Sequence, residues 1–331
     1  MIALLMSAAL AAASPAAAGT IQVVDTIKVG GIGGWDYATF DATTRKMYIA
    51  HGTAISAVDV DARTANAALA VADGAHIALP FNEGKTIMIT NGKANTVTLN
   101  DTTSGAVLAT IATDTGPDGA IIDPATGHAF VMANHAGTID VIDLQGKTVI
   151  GKIAVPGKPE GAAVDGNGRV FTHLEDKNQL VIIDAKTMKI VATWDMKDCD
   201  SPSGLAYVGG AHDWILSACD GKIARVTDIK TGREVAALPI GDGPDFALYD
   251  ADRKVGYIPA GEGKLTAIDF SGATPVVIAT VATQKGARTA ALDPKTGDVL
   301  LPTADFGTPQ PGMKRAPPLP DTFRVLVVGA K

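Results

Sequence analysis

A repeat of about 42 residues runs through most of this 331-residue chain. Each unit opens with a short run of small residues, often after proline, and continues through segments separated by glycine or Asp-Pro turns. Self-similarity at this period is typical of repeat architectures. The units, numbered from the start of the chain, open at Trp35, Ala75, Pro117, Pro159, Pro202, Pro244 and Ala287.

Each unit contains four short segments, here named A to D, which the third unit shows clearly. They are Gly119–Asp123, Ala129–Asn134, Thr138–Leu144 and Thr148–Val155. Short alternating runs bounded by turn residues are typical of antiparallel strands. Four strands in a period of 40–45 residues form a propeller blade. The sequence therefore predicts an all-β, seven-bladed β-propeller.

The two ends of the repeat predict how the ring closes. The last unit finishes with a C-type strand, Phe323–Val328, and an unassigned D-type strand, Ile21–Val29, precedes the first unit. Pairing these strands removes exposed sheet edges, which otherwise promote aggregation. We therefore expect residues 19–331 to form one domain, and deletion of residues 20–30 to destabilise the whole ring.

Residues 1–18 are apolar, rich in alanine, and end in Ala16-Ala17-Ala18 before Gly19. This pattern predicts a cleaved signal peptide and a periplasmic or secreted protein. It departs from the rule in lacking a lysine or arginine before the apolar run. An uncleaved anchor is the alternative, but the run is shorter than the roughly 20 residues that span a bilayer, and no other stretch is predicted to cross one.

The chain has two cysteines, Cys199 and Cys219, and a net charge of −7. The cysteines fall in neighbouring loops of the fifth unit, and an even count in an exported protein favours a disulfide. Two free thiols or a metal-binding thiolate pair are the alternatives. An acidic chain without a basic run disfavours nucleic-acid binding, which needs a cationic surface.

In a propeller the D-to-A and B-to-C connections lie on one face, here called the top face. The sequence predicts two rings of polar residues there. The D-to-A positions are Asp36 (after Trp35), His76, Asp118, Glu160, Ser203, Asp245 and Arg288. The B-to-C positions are His51, Asn91, Asn134, His135, His173, Glu175, Cys219, Asp220, Glu262 and Asp305.

Crowded carboxylates are expected at this channel mouth, and some must bind protons at raised pKa unless Arg288, a cation or a ligand pairs with them. Such clusters mark functional sites. The alternative is that short polar side chains simply hydrate the channel mouth. Two other histidines, His128 and His212, fall in A-to-B turns on the opposite face and are expected to be solvated.

Three functional interpretations stay open. In the first, His51, His76, Asp118 and Glu160, with Asp36, bind a divalent metal ion, although no local motif such as H-x-x-x-H is present. In the second, His76 or His173 acts as a general base beside an acid such as Glu175, while Arg288 holds an anionic substrate. In the third, the face only binds a small molecule or partner protein, through residues that include Trp35, Asp36, Asn91, Asn134, His135, Ser203, Asp220, Asp245, Glu262 and Asp305.

The B-to-C loop of the seventh unit, Gly307–Thr322, is much longer than its counterparts and contains five prolines. Long loops on a compact scaffold are functional or disordered, and this proline content favours extended geometry. We expect a lid or docking arm, with Lys314 and Arg315 facing the acidic ring. A mobile insertion is the alternative.

Stretches such as AFVMANHAGTIDVIDLQGKTVIGKIAV and VFTHLEDKNQLVIID resemble the YVTN-type β-propeller repeat family, as in YncE-like periplasmic proteins. The resemblance covers essentially the whole chain after residue 18. It implies the propeller fold and export. Similar propellers are described as lactonase-like by analogy; lactonases use a metal held by acids and asparagine at the channel mouth. No motif here matches that set residue by residue, and fold alone does not give function.

Overall fold

The computed structural model describes residues 20–309 and 316–331. This part of the chain forms seven antiparallel sheets of four strands each, arranged as a propeller. The first strand is β1 (Ile21–Lys28), followed in blade 1 by β2 (Trp35–Asp41), β3 (Lys46–His51), β4 (Ala54–Asp59) and β5 (Thr64–Val71), and in blade 2 by β6 (Ala75–Phe81), β7 (Thr86–Asn91), β8 (Thr96–Asp101) and β9 (Val107–Ala112). Blade 3 contains β10 (Pro117–Ile122), β11 (His128–Ala133), β12 (Thr138–Asp143) and β13 (Thr148–Ala154), and blade 4 contains β14 (Pro159–Val164), β15 (Arg169–Leu174), β16 (Gln179–Asp184) and β17 (Lys189–Asp195). Blade 5 contains β18 (Leu205–Val208), β19 (Trp214–Cys219), β20 (Ile223–Asp228) and β21 (Glu234–Pro239), blade 6 contains β22 (Leu248–Asp250), β23 (Val255–Ala260), β24 (Lys264–Asp269) and β25 (Val276–Ala282), and blade 7 contains β26 (Ala291–Leu292), β27 (Val299–Thr303) and β28 (Arg324–Ala330).

The ring closes as the sequence predicted. Strand β1 pairs antiparallel with β28, from Ile21 opposite Ala330 to Lys28 opposite Arg324. The sheet order β1-β28-β27-β26 makes β1 the outermost strand of blade 7. The amino-terminal strand thus supplies the fourth strand of the last blade, and the predicted seven-bladed fold is confirmed.

The core lies between neighbouring blades. Phe130 and Met132 of β11 are buried in one cluster with Val170 and Val181 of blade 4. Both faces of a middle strand are covered, so side chains along such a strand are buried without alternation, as in β7. Outermost strands such as β17 alternate because one of their faces meets water. Each large side chain buried in this way contributes roughly 1.5–3 kcal/mol to stability.

Glycine is required at two positions where the inner strands of neighbouring blades approach each other closely. A Cβ atom on Gly119 would lie 2.8 Å from the carbonyl oxygen of Glu160, and one on Gly161 would lie 2.9 Å from that of Ser203. A substitution there would push the blades apart, because backbone atoms cannot give way as a flexible side chain can. This contact explains the glycines near the start of the third and fourth repeats.

The disulfide predicted between Cys199 and Cys219 is present, with the Cα atoms 5.1 Å apart. It links the loop that enters blade 5 to the end of β19 in the same blade. A short 3-10 helix, Glu175–Lys177, forms the B-to-C connection of blade 4. Within the described residues, no helix is long and apolar enough to cross a bilayer. Residues 1–18, the predicted signal peptide, lie outside the described residues.

Candidate functional site

Bulges in four inner strands determine where the candidate site lies. The pairing of β2, β6, β10 and β14 with the next strand is shifted immediately after the first residue of each inner strand. A bulge bends a strand locally and re-aims its side chains. The residues in these four bulges begin with Asp36, His76, Asp118 and Glu160.

Three of these side chains form a compact donor cluster on the top face. The Nδ1 atom of His76 lies 2.7 Å from Oδ2 of Asp36 and 3.3 Å from Oδ1 of Asp118. One ligand atom from each residue falls within 4.8 Å of the others. We refer to Asp36, His76 and Asp118 as the donor cluster.

Neighbouring groups hold the donor cluster in place. The side-chain amide of Asn134 donates to Oδ2 of Asp118 at 2.5 Å, and the hydroxyl of Thr90 donates to the Asp118 carbonyl at 2.8 Å. On the other side, the hydroxyl of Thr289 donates to the Asp36 carbonyl at 2.9 Å. These contacts come from three different blades, so the cluster depends on the closed ring.

The imidazole of His76 lies against Gly92, where a Cβ atom would be only 2.7 Å from Nε2. Burial lowers the pKa of His76, but the hydrogen bond to Asp36 and the charges of Asp118 and Glu160 outweigh it and raise the pKa to about 9. A positively charged imidazole therefore partly neutralises the surrounding carboxylates.

Two carboxyl groups in this region hold protons more tightly than usual. Burial raises the pKa of Asp118 to about 7, although His76 lowers it, and the charge of Asp36 adds to the rise. Burial and the charges of Asp118 and Glu175 raise the pKa of Glu160 to about 8. The site therefore has more carboxyl groups than the charge of His76 can neutralise, and some of them hold protons, as the sequence predicted for crowded carboxylates.

Tyr37, which follows Asp36 in the chain, is 2 % exposed. Its hydroxyl donates to Oε1 of Glu160 at 3.3 Å, and its ring lies 5.6 Å from that of Phe246. Tyr37 also lines an apolar cavity of about 310 Å³ formed by the inner strands. The polar site is thus at the channel mouth, with an apolar channel interior beneath it.

Across the mouth, Arg288 is the counter-charge to the acids. Its Nε lies 3.0 Å from Oδ2 of Asp245, and its Nη2 lies 3.9 Å from Oδ1 of Asp36. The remaining D-to-A residue, Ser203, donates its hydroxyl to the Pro244 carbonyl at 3.2 Å.

Two histidines in the predicted ring are packed into blades instead. The ring of His51 stacks on Phe323 at 4.0 Å, with Nδ1 3.1 Å from the Ser56 hydroxyl. His173 is fully buried, with Nε2 2.9 Å from the Ser217 hydroxyl, and burial lowers its pKa to about 4. The donor cluster found among the described residues includes neither.

The two histidines of the opposite face were expected to be solvated, but at least one of them is packed. His212 stacks on Trp214 with ring centroids 3.7 Å apart, and its Nε2 lies 3.1 Å from the Phe270 carbonyl. That expectation was therefore wrong for His212, whose ring is held by the packing of blades 5 and 6. His128 lies at the start of β11 and its Nδ1 is buried.

The other B-to-C residues have mainly local roles. Asn91 is buried and donates to the Thr98 hydroxyl at 3.2 Å, Glu262 pairs with Lys264 at 2.9 Å, and Asp305 pairs with Arg324. The other four residues also have local contacts in the top-face loops. Glu175 begins the 3-10 helix, and the backbone of Asp220 pairs with that of Asp200. His135 and Asn134 both lie against Gly116.

The described ends of the long loop in blade 7 are anchored to the top face. The Gly307 amide donates to the Pro317 carbonyl at 2.9 Å, and the Leu319 amide donates to the Asp305 carbonyl at 2.7 Å. Asp321 donates its amide to the Gly31 carbonyl at 2.8 Å. Lys314 and Arg315, expected to face the acidic ring, lie outside the described residues.

Sequence reasoning did not single out two groups that shape the site. Tyr37 follows Asp36 directly, so its position in an inner strand could be predicted from the sequence. The direction of its side chain could not, because it depends on the bulge. Thr90 lies at the end of a B strand and contacts the next blade's inner strand. Both contacts depend on packing between blades, which a repeat pattern does not encode.

Solved structures that resemble this chain support the fold. One, described as hydrazine synthase of Kuenenia stuttgartiensis, is similar with a TM-score of 0.72 and 17% identity, covering 82% of this chain and 92% of that one. Another, described as the mitotic checkpoint complex, has a TM-score of 0.76 and 13% identity, covering 100% and 98%. At this identity the likeness concerns the fold alone. No protein-family model and no curated protein matches the chain.

Proposed function

We propose that this protein is an exported β-propeller, of the YVTN type that its repeats resemble, which binds a divalent metal ion at the top-face channel mouth. The observation that carries the proposal is the donor cluster, in which an imidazole and two carboxylates converge within 4.8 Å. Imidazole and carboxylate donors suit zinc, manganese and similar ions. Three protein ligands leave positions for water or a bound small molecule.

The electrostatics of the mouth favour a cation. Asp36, Asp118 and Glu160 all lie near one cation, His76. The next cation, Arg288, lies 3.9 Å from Asp36 and is already engaged by Asp245. A divalent ion would replace the protons that Asp118 and Glu160 otherwise retain. Asn134 would keep Asp118 oriented as a ligand, a supporting role that commonly sets metal affinity.

Export is supported by two features. The apolar segment that ends in Ala16-Ala17-Ala18 has the pattern of a signal peptide. The disulfide between Cys199 and Cys219 suits an oxidising compartment. Together they support a periplasmic or secreted location.

A second candidate function is a hydrolase or lyase that uses the same residues. The short contact between His76 and Asp36 holds a protonated imidazole in a fixed orientation, which is the arrangement of a general acid. Arg288 on the other side of Asp36 could hold an anionic substrate. Activity on lactones or esters that is lost in His76→Gln would favour this function over binding alone.

Calorimetric titration of chelator-treated protein with zinc or manganese chloride tests the metal site. We expect one site per chain, with affinity at least tenfold weaker in His76→Gln and in Asp118→Asn. The exposed Asp252→Asn on the opposite face is the matched control and should bind as the wild type does. Because the metal displaces protons from His76 and Asp118, affinity should increase as pH rises from 6 to 9. Absence of binding, or equal affinity in all four proteins, would contradict the proposal.

A further inference from the structure

A second cavity of about 630 Å³ opens on the top face between blades 6, 7 and 1. Its volume suits a small organic molecule. The residues of its wall that carry the argument are Trp35, Lys285, Gly286, Arg288, Phe306 and Glu262. We refer to this cavity as the aromatic pocket.

Two aromatic rings form one wall of the aromatic pocket. The ring centroids of Trp35 and Phe306 lie 6.0 Å apart at an interplanar angle of 45°. Gly286 allows this approach, since a Cβ atom there would lie 2.6 Å from Phe306 and 3.4 Å from Trp35. Gly286 also has a φ of +90°, which disfavours any side chain. The backbone is therefore shaped to admit two rings, a surface against which a planar apolar group packs well.

The charges around the aromatic pocket favour an anion. Its carboxylates already have partners: Glu262 pairs with Lys264 at 2.9 Å, and Asp242 pairs with Lys222 at 3.6 Å. Lys285 is exposed, and its ammonium has no ion pair among the described residues. The pocket thus presents an unpaired cation beside its aromatic wall.

Arg288 and the chain itself connect the aromatic pocket to the channel mouth. Arg288 lines the pocket while its Nη2 lies 3.9 Å from Asp36 of the donor cluster. Trp35 of the pocket wall directly precedes Asp36 in the sequence. In addition, the indole Nε1 of Trp35 is buried without an acceptor among the described residues. A molecule in the pocket therefore lies next to the proposed metal site.

We propose that the aromatic pocket binds an organic anion with a planar aromatic body, its ring against Trp35 and Phe306 and its carboxylate toward Lys285 and Arg288. This inference adds a class of ligand to the proposed top-face site. It rests on the proposed function only in one respect, which is that the ligand would lie beside the metal ion. The pocket's own recognition chemistry needs no metal ion.

Calorimetry with 2-naphthoate tests the proposal in chelator-treated protein. We expect saturable binding, at least fivefold weaker in Lys285→Gln and at least tenfold weaker in Phe306→Ala. The matched control is Lys230→Gln, which removes a lysine from the opposite face and should change affinity less than twofold. The cation 2-naphthylmethylamine and the non-aromatic cyclohexanecarboxylate should each bind at least tenfold more weakly than 2-naphthoate.

Quenching of Trp35 fluorescence by 2-naphthoate provides a second readout, using Trp35→Phe, which keeps an aromatic wall, as the reference. Loss of the quenching signal in Trp35→Phe supports the assigned pocket. Naphthoate binding that is unchanged in Lys285→Gln and Phe306→Ala, or absent in the wild type, would overturn the proposal.

The same titration in Asp118→Asn distinguishes failure of this inference from failure of the proposed function. We expect naphthoate to bind this variant while zinc binds it weakly. If zinc binds the wild type and naphthoate does not, only the aromatic pocket is wrong. If naphthoate binds and zinc does not, only the metal site is wrong.

Discussion

The acids of the channel mouth and the acids of the opposite face have different charged neighbours. On the face opposite the channel mouth, several aspartates in the turns between inner strands and their neighbours are paired with arginine, as Asp293 is with Arg45 and Asp213 is with Arg169 at 2.8 Å. On the top face, several acids share His76 and Arg288. Paired charges hold neighbouring blades together, whereas an excess of one sign at a mouth is available for a ligand.

The pKa directions follow this difference. Burial would raise the pKa of Asp293, yet its hydrogen bonds to Arg45 and Thr296 lower it overall. Burial also raises the pKa of Asp118 and of Glu160, and there the neighbouring acids add to the rise. The same desolvation therefore has opposite outcomes, decided by whether an arginine or another carboxylate lies alongside.

The largest loss of stability is expected from Arg45→Ala, on the face opposite the channel mouth. This change leaves the Asp293 carboxylate, whose side chain is 1% exposed, without its cationic partner. Removing one member of a buried pair costs about 3–5 kcal/mol of unfolding free energy. Denaturant titration should show this loss, while the control Arg63→Ala, an exposed pair with Asp25, should lose less than about 1 kcal/mol. Equal effects of the two variants would contradict the comparison.

In metal-free protein, Glu160→Gln on the top face is expected to change stability in the opposite direction and to stabilise the fold. The pKa of Glu160 is about 8 in the fold against an ordinary value of 4.5, so ionisation weakens the fold as pH rises from 4.5 toward 8. Glutamine removes this penalty and can still accept from Tyr37. We expect the variant to be more stable by about 1–2 kcal/mol at pH 8, after allowance for solvent screening.

Thermal or denaturant unfolding at pH 4.5 and at pH 8 measures the Glu160→Gln effect. Near pH 4.5 the carboxyl is largely neutral in the folded state, so wild type and variant should differ little. A variant that is less stable than the wild type at pH 8 would show that the acids of the mouth are compensated like those of the opposite face.

The smallest change in stability is expected from Lys230→Gln, which removes an exposed charge from the face opposite the channel mouth. Lys230 lies 3.8 Å from Asp213 and its side chain is 73% exposed. Asp213 retains Arg169 and the Tyr207 hydroxyl, the latter at 2.9 Å. The change in unfolding free energy should stay below about 0.5 kcal/mol. A larger loss would mean that exposed pairs also hold the blades together.

The fold was predictable because it repeats. A period of about 42 residues, alternating strands and matching ends such as Ile21–Val29 and Phe323–Val328 leave few other solutions. The structure places those ends in β1 and β28 with shifts of one or two residues. The disulfide was predictable for the same reason, since the blade geometry brings Cys199 and Cys219 together.

The candidate site was predictable only in part. Loop position identifies which residues reach the top face, but it treats His51 and His76 alike. In the structure His76 lies in a strand bulge and faces two carboxylates, while His51 packs on Phe323. Bulge geometry and packing between blades decide that difference, and neither leaves a local signal in the sequence.

Anomalous diffraction from crystals of the protein grown with manganese or zinc chloride shows whether the donor cluster binds a metal ion. We expect one strong peak at the channel mouth, within coordinating distance of His76, Asp36 and Asp118. Metal-bound crystals with a peak elsewhere and none between these three side chains would contradict it.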